Sequence, residues 1–268
     1  MVSFPPCKIN LGLHVVAKRS DGYHDIETCF FPVPWTDVLE IIPSKEFQFS
    51  STGISIPGKE EDNLCVKAFR LLQDAYALPS VKIHLHKIIP MGAGLGGGSA
   101  DGAYTLRLLN SIFDLKLPTE RLRGYAARLG SDCAFFVGDE PMIGTGRGEI
   151  LTPVSVNLSG YSLVLVKPNV HVSTKDAYAG LSPKKPLRAI KEILALPVAD
   201  WQRMLVNDFE PTVFQKFPEI EQLKRRLLEL GASYASMSGS GATVFALFKK
   251  PASLHRQFSG CNYWEGTL

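Results

Sequence analysis

The chain lacks any C-x-x-C pair: its five cysteines, Cys7, Cys29, Cys65, Cys133 and Cys261, stand singly. That spacing argues against a zinc site or a disulfide framework and for reduced thiols in a cytosol. No stretch of Lys and Arg is dense enough for a nucleic-acid footprint. Lys224-Arg225-Arg226 is the one basic run, and Leu223, Leu227 and Leu230 mark the other face of its helix. No apolar run approaches the roughly 20 residues that span a bilayer. Met1-Val2-Ser3-Phe4-Pro5-Pro6 lacks the basic-then-apolar order of a secretory leader. Internal repeats and low-complexity segments are absent. These absences lead us to expect a mature cytoplasmic protein with neither a nucleic-acid nor a membrane partner. A hydrophobic content of 45%, a charged content of 21% and a net charge of +3 describe an ordinary globular chain, and 268 residues suffice for two domains.

What the chain does have is glycine in one place. Pro90-Met91-Gly92-Ala93-Gly94-Leu95-Gly96-Gly97-Gly98-Ser99-Ala100 carries five glycines in seven positions. Upstream, Val81, Ile83 and Leu85 alternate with Lys82, His84 and His86, a strand with one buried and one wet face. Downstream, Ala100, Ala103, Leu106, Leu109 and Phe113 recur at helical spacing to about Leu115, before Pro118. A glycine-rich turn from strand to helix leaves the backbone N–H groups of the first helical turn open to an anion, and a polyphosphate suits it best. The Walker form of the phosphate loop is excluded, because no Lys-Ser or Lys-Thr follows the glycines. A dinucleotide fingerprint remains formally present in Gly92, Gly94 and Gly97, with Asp114 22 residues beyond Gly92. Asp114, however, falls at the end of the same helix. A flexible turn without a ligand is the other reading.

Elsewhere, Ile9, Leu11, Leu13 and Val15 alternate with Lys8, Asn10, Gly12 and His14, so Lys8 and Asn10 project from one polar side of a strand. Asp21-Gly22 is a turn signal, followed by a returning strand from Tyr23 and His24 to Phe31. Helices are expected over residues 63–77, 119–129 with Gly130 as the stop, 188–194, and 218–230 with Gly231 as the cap; strands are expected over 161–166 and 244–248. Mixed strands and helices without strict βαβ repetition give an α+β class. The expected boundary lies near residue 154, between domains 1–154 and 155–268. His84 and His86 have no acidic or Cys neighbour that would make a metal site and receive no function. Ser99, on sequence alone, is a candidate N-cap.

Three segments in order, Lys8-Ile9-Asn10-Leu11-Gly12-Leu13, the glycine stretch, and Ser238-Gly239-Ser240-Gly241-Ala242-Thr243, resemble the GHMP kinases, the family of galactokinase, homoserine kinase and mevalonate kinase. Within the family, Arg19, Asp21-Gly22-Tyr23-His24 and Thr28 are similar to the branch that phosphorylates the 2-hydroxyl of 4-diphosphocytidyl-2-C-methyl-D-erythritol in non-mevalonate isoprenoid synthesis. The resemblance implies two domains with the active site in the cleft between them, and an ATP-dependent kinase for a small alcohol that uses Mg2+ and is a monomer or weak homodimer. It implies that Pro90 to Ala100 hold the triphosphate, with Ser99 touching a phosphate or its metal, and that Asn63, Leu64, Lys87 and Met91 frame the adenine. It implies that Asp132 takes the proton of the attacking hydroxyl beside Lys8. Asn10, Tyr23, His24, Phe31, Gly239 and, from the second domain, Tyr178 are the implied substrate contacts, Tyr23 and His24 reading the cytosine. Without that resemblance, Asp132 after Gly-Ser reads as a turn residue and Lys8 as an exposed strand lysine. The other readings are a kinase of the same family for another alcohol, a dinucleotide-dependent oxidoreductase, and a non-catalytic nucleotide-binding module.

Overall fold

In the computed structural model, which describes residues 1–268, the chain is a mixed α+β protein. Its strands and helices, in chain order, are β1 (Val2–Ser3), β2 (Pro6–Lys18), β3 (His24–Thr36), β4 (Val38–Pro43), β5 (Gln48–Gly53), α1 (Leu64–Tyr76), β6 (Val81–Lys87), α2 (Gly97–Ile112), α3 (Thr119–Leu129), β7 (Met142–Thr145), β8 (Ile150–Pro153) and β9 (Ser162–Lys167). The remainder is α4 (Thr174–Tyr178), α5 (Ile190–Leu194), α6 (Val198–Met204), α7 (Glu210–Lys216), α8 (Pro218–Glu229), β10 (Tyr234–Met237), β11 (Val244–Phe248) and β12 (Asn262–Thr267). Contacts gather the chain into two units that interleave in sequence, whereas the expected division near 154 is a single cut. The first unit holds Met1–Lys8, Pro32–Met91 and Gly96–Glu140; the second holds Ile9–Phe31, Gly92–Leu95 and Pro141–Leu268.

In the first unit β1, β4, β6 and β5 form a sheet in that order, with β4 antiparallel and β5 parallel to β6. The alternation of β6 is realised: Val81, Ile83 and Leu85 are buried, while Lys82 and His86 stay exposed. The parallel register sets Ser50 opposite His84 and Thr52 opposite His86, and Ser50 Oγ lies 2.9 Å from His84 Nδ1. A polar cross-strand pairing of this kind accounts for both histidines. Helix α2 buries Ala100, Ala103, Leu106 and Leu109, packs on α1 and α3, and ends at Ile112, three residues before the expected end. Asp114 and Lys116, both at positive φ, carry the chain away from the helix. Asp114 is exposed and pairs with Lys116 Nζ at 3.3 Å, so it is not at the tip of a second strand as a dinucleotide site requires.

In the second unit β10, β11, β9 and β12 form an antiparallel sheet. Leu13, Val15, Val164, Val166, Phe209, Val244 and Ala246 share its core with the inner face of α8. Helix α3 and the 244–248 strand match their expected bounds, whereas the helix expected from 188 begins at Ile190, and α6 and α7 were not anticipated. Strand β2 differs from expectation in burial. Lys8, Asn10 and His14, read as a wet face, are all below 6% exposed. A period-two pattern identifies a strand but is blind to whether its polar face is covered.

Candidate active site

The glycine stretch turns into α2 through Gly96, which sits at φ 70°, and Gly97 opens the helix. Gly96 is therefore the N-cap; Ser99, expected there, lies inside the first turn. The first helical hydrogen bond runs from Ala100 N–H to Gly96 O, so the N–H groups of Gly97, Gly98 and Ser99 face out of the positive end of the helix. A Cβ on Gly96 would stand 3.0 Å from the Phe136 ring and 3.2 Å from Lys8 Cε. The lysine stem thus lies against the start of the cradle. Its Nζ is 3.5 Å from Asp132 Oδ2; Lys8 is buried and the Asp132 side chain is 35% exposed. Asp132 sits between the end of α3 and a 3-10 turn, Phe135–Val137, where Phe135 N–H donates to the Asp132 carbonyl. The Cys133 thiol, next to Asp132, is buried, and burial pushes it up to about 11. That thiol is no nucleophile near neutral pH.

The residues expected around adenine meet in one pocket of about 400 Å³, lined among others by Asn63, Leu64, Lys87, Met91 and Gly98. Asn63 also caps α1, its Oδ1 accepting Cys65 N–H at 2.8 Å. Lys87 is engaged more deeply than its sequence suggests. Its ammonium, 2% exposed, donates to Asp37 Oδ2 at 2.5 Å and to Asp101 Oδ2 at 2.7 Å. Asp37 Oδ1 accepts the N–H groups of Ile88 and Ile89 at 2.6 and 2.8 Å, while Asp101 Oδ1 is buried without a partner. Burial works against the Lys87 charge, but Asp101 and Asp37 outweigh it and raise the ammonium above its ordinary value. The triad clamps the strand entering the glycine loop to the helix leaving it.

In the second unit the middle of the glycine stretch is bound to the C-terminal glycine loop. Ser238 Oγ accepts Asn10 N–H at 3.3 Å and donates to Gly94 O at 2.9 Å. Asn10 Nδ2 donates to Thr28 Oγ1 at 2.9 Å, and a Cβ on Gly239 would lie 3.2 Å from Asn10 Oδ1. The loop itself hangs from two buried side chains of the segment entering α7. Asn207 Nδ2 donates to Met237 O and Gly239 O at 2.7 and 2.8 Å, and Glu210 Oε1 accepts Met237 N–H at 2.8 Å. His24 and Tyr178 stack with ring centroids 4.6 Å apart, and Phe209 meets Tyr178 edge-on. Tyr23 does not join them: it is exposed, with the Arg147 guanidinium 4.9 Å above its ring. Phe31 is half-buried on β3. His171 lies against Gly92, about 3 Å from a Cβ placed there.

Sequence reasoning missed Asp37, Asp101, His171, Asn207 and Glu210. Each acts through a partner distant in the chain and belongs to no local motif. Ser238 alone carried a signal, as part of the Ser-Gly-Ser-Gly run.

The chain belongs to the GHMP kinases: the family model for the GHMP kinases N terminal domain matches residues 63–139, and that for GHMP kinases C terminal matches residues 189–260. It is an α+β kinase of that family. Among curated relatives it is 51% identical, over 97% of both chains, to the 4-diphosphocytidyl-2-C-methyl-D-erythritol kinase of Cytophaga hutchinsonii. It is 49% identical over the whole of both chains to the protein of that name from Parabacteroides distasonis. A crystal structure of 4-(cytidine 5'-diphospho)-2C-methyl-D-erythritol kinase superposes with a TM-score of 0.82 at 32% identity, covering 100% of this chain and 98% of the other. The mevalonate kinase of Methanococcus jannaschii, at 11% identity and a TM-score of 0.71 over 100% and 98%, shares the fold. Family membership removes the oxidoreductase reading. No helix is long and apolar enough to cross a membrane.

Proposed function

We propose that this kinase transfers the γ-phosphoryl group of ATP to the 2-hydroxyl of 4-diphosphocytidyl-2-C-methyl-D-erythritol, in isoprenoid precursor synthesis. The observation that carries the chemistry is the buried Lys8 ammonium, 3.5 Å from Asp132 and packed on the residue that opens the phosphate cradle. Phosphoryl transfer passes through a loose transition state that asks chiefly for positioning and for charge opposite the γ-oxygens. The outward N–H groups of α2 hold the phosphates, Lys8 offsets the charge that develops on the transferred group, and Asp132 orients the substrate hydroxyl and accepts its proton. No group of three His, Cys, Asp or Glu side chains forms a cage for a metal ion. Mg2+ bound with ATP would be held through the phosphates with the Ser99 hydroxyl beside them, and would supply neutralisation of phosphate charge.

Support for the cytidine end comes from the relatives' names and from the aromatic pair His24 and Tyr178. An imidazole that both donates and accepts suits the edge of a pyrimidine, and a tyrosine face suits its ring. In this reading residues 1–154 form the ATP-binding domain, which also brings His24, and residues 155–268 form the domain that adds Tyr178.

The test is ADP release from ATP and Mg2+ with that alcohol, for wild type and Asp132→Asn side by side. Turnover by wild type and a loss of at least about a hundredfold in the variant, the lower range for removing a general base, is the expected result. Wild-type inactivity with retained ATP binding would remove the cytidine reading, and an active Asp132→Asn would remove the base.

A further inference from the structure

We propose that the second unit carries a separate binding pocket for a small aliphatic phosphate ester, with the phosphate on a ring of cations and the aliphatic body on an apolar wall. The pocket, of about 610 Å³, opens between the loop that follows α4 and helix α6, and shares no residue with the candidate active site. Lys184, Lys185 and Arg188 come from the loop and Arg203 from α6; Lys184 acts on Asp208, and no ion pair engages the other three. The whole chain has a net charge of only +3, so this concentration of cations is local. Exposed lysines on a convex face would be explained by solvation alone. Here they rim a concavity whose walls include Ile193 and Met204.

A second observation points inward. The imidazole of His14, 5% exposed, lines the same pocket, and its Nε2 is buried without a hydrogen-bond partner. Its Nδ1 stands 3.8 Å from Asp208 Oδ2, and that oxygen also accepts Val15 N–H at 2.9 Å. Asp208 is the pocket's one carboxylate. Burial works to raise it, but His14, the Val15 N–H and Lys184 outweigh this and hold it below the usual carboxylate range. Asp208 therefore stays ionised, one negative charge against the four cations of the rim, and the ring it faces lines the pocket. A buried polar atom without a partner is unfavourable.

The chemistry selects the ligand class. Two guanidinium and two ammonium groups suit a dianion better than a single carboxylate, since the forked donors of arginine match phosphate oxygens. The volume fits a small molecule and not a polymer, and the apolar wall adds affinity for a short alkyl body.

Binding is tested by equilibrium dialysis of the full chain in a phosphate-free buffer, with n-butyl phosphate, inorganic phosphate and butanol as probes. The variant is K185A/R188A/R203A, three exposed side chains outside the catalytic and ATP-binding residues, with R203E alone as a second variant. Wild type is expected to bind butyl phosphate saturably and butanol not at all, with inorganic phosphate at least about tenfold weaker than the ester. The triple variant is expected to lose at least about tenfold in that affinity, at unchanged kinase turnover without the probe. Saturating ATP should leave the binding in place. Absence of saturable binding, equal binding by wild type and both variants, or displacement of butyl phosphate by ATP would each overturn the site. Equal affinity for phosphate and its butyl ester would overturn the apolar half of the assignment.

Discussion

Asp37 and Asp101 share one ammonium, and their surroundings decide which of them gives way. Asp37 accepts two backbone N–H groups besides Lys87, whereas one oxygen of Asp101 is bare and buried. Burial pushes the Asp101 carboxyl up to about 7, with Lys87 pulling the other way. A carboxyl raised above its unfolded value, about 3.9, adds stability that is fully present below that value and lost as pH rises through the folded one. Wild type is therefore expected to lose stability relative to Asp101→Asn from about pH 4 to about pH 7, and to run parallel to it beyond. Urea denaturation midpoints across pH 4 to 9 measure this, and a constant difference over the range would show Asp101 charged throughout. Removing the cation is the harsher change. Lys87→Met leaves two buried carboxylates facing each other and is expected to cost about 3–5 kcal/mol of stability, rather than merely to weaken ATP binding. Read from sequence, Lys87 was a purine contact. Its partners lie 50 and 14 residues away, outside any pattern that spacing can detect.

The glycine stretch acts as three local devices rather than one flexible turn, and substitutions separate them. Gly94 sits at φ 76°, and a Cβ there would fall 2.0 Å from Ser238 O, a backbone atom held in turn by the C-terminal loop. Gly94→Ala is expected to destabilise by about 1–3 kcal/mol and to loosen that loop, read as faster amide exchange over residues 237–243. Gly98, in the first turn of α2, has open space where a Cβ would go. Gly98→Ala should keep or slightly raise stability while weakening ATP, because the methyl group enters the cradle and not the core. If Gly98→Ala bound ATP as wild type does, the phosphates would not rest on that turn. The strand, glycine loop and amphipathic helix were readable from residues 81–109 by their change of period, but the start of the helix was not. Gly96 caps it without a side-chain oxygen, so the usual N-cap signal pointed past the true cap, to Ser99 in the first turn.

For the whole chain, nucleotide binding and turnover should come apart. ATP at a hundred times its dissociation constant is expected to raise the unfolding free energy by about 2.7 kcal/mol, seen as a higher calorimetric midpoint. Asp132→Asn, which leaves the cradle intact, should show the same rise while losing catalysis; loss of both would make Asp132 a structural residue. The sequence by itself determined the class, α+β, and the order of the three glycine- and lysine-bearing segments, because strand and helix periods and bare glycines are local properties that survive without tertiary context. It also put Lys8 and Asn10 on one side of one strand. Only the tertiary structure decided that this side is buried, that Lys8 reaches Asp132 across more than a hundred residues of chain, that Lys87 is shared by two aspartates, and that Tyr23 pairs with Arg147 while His24 pairs with Tyr178. Burial and charge pairing depend on which segments meet, and a pattern of period two or 3.6 carries no information about the partner it will meet.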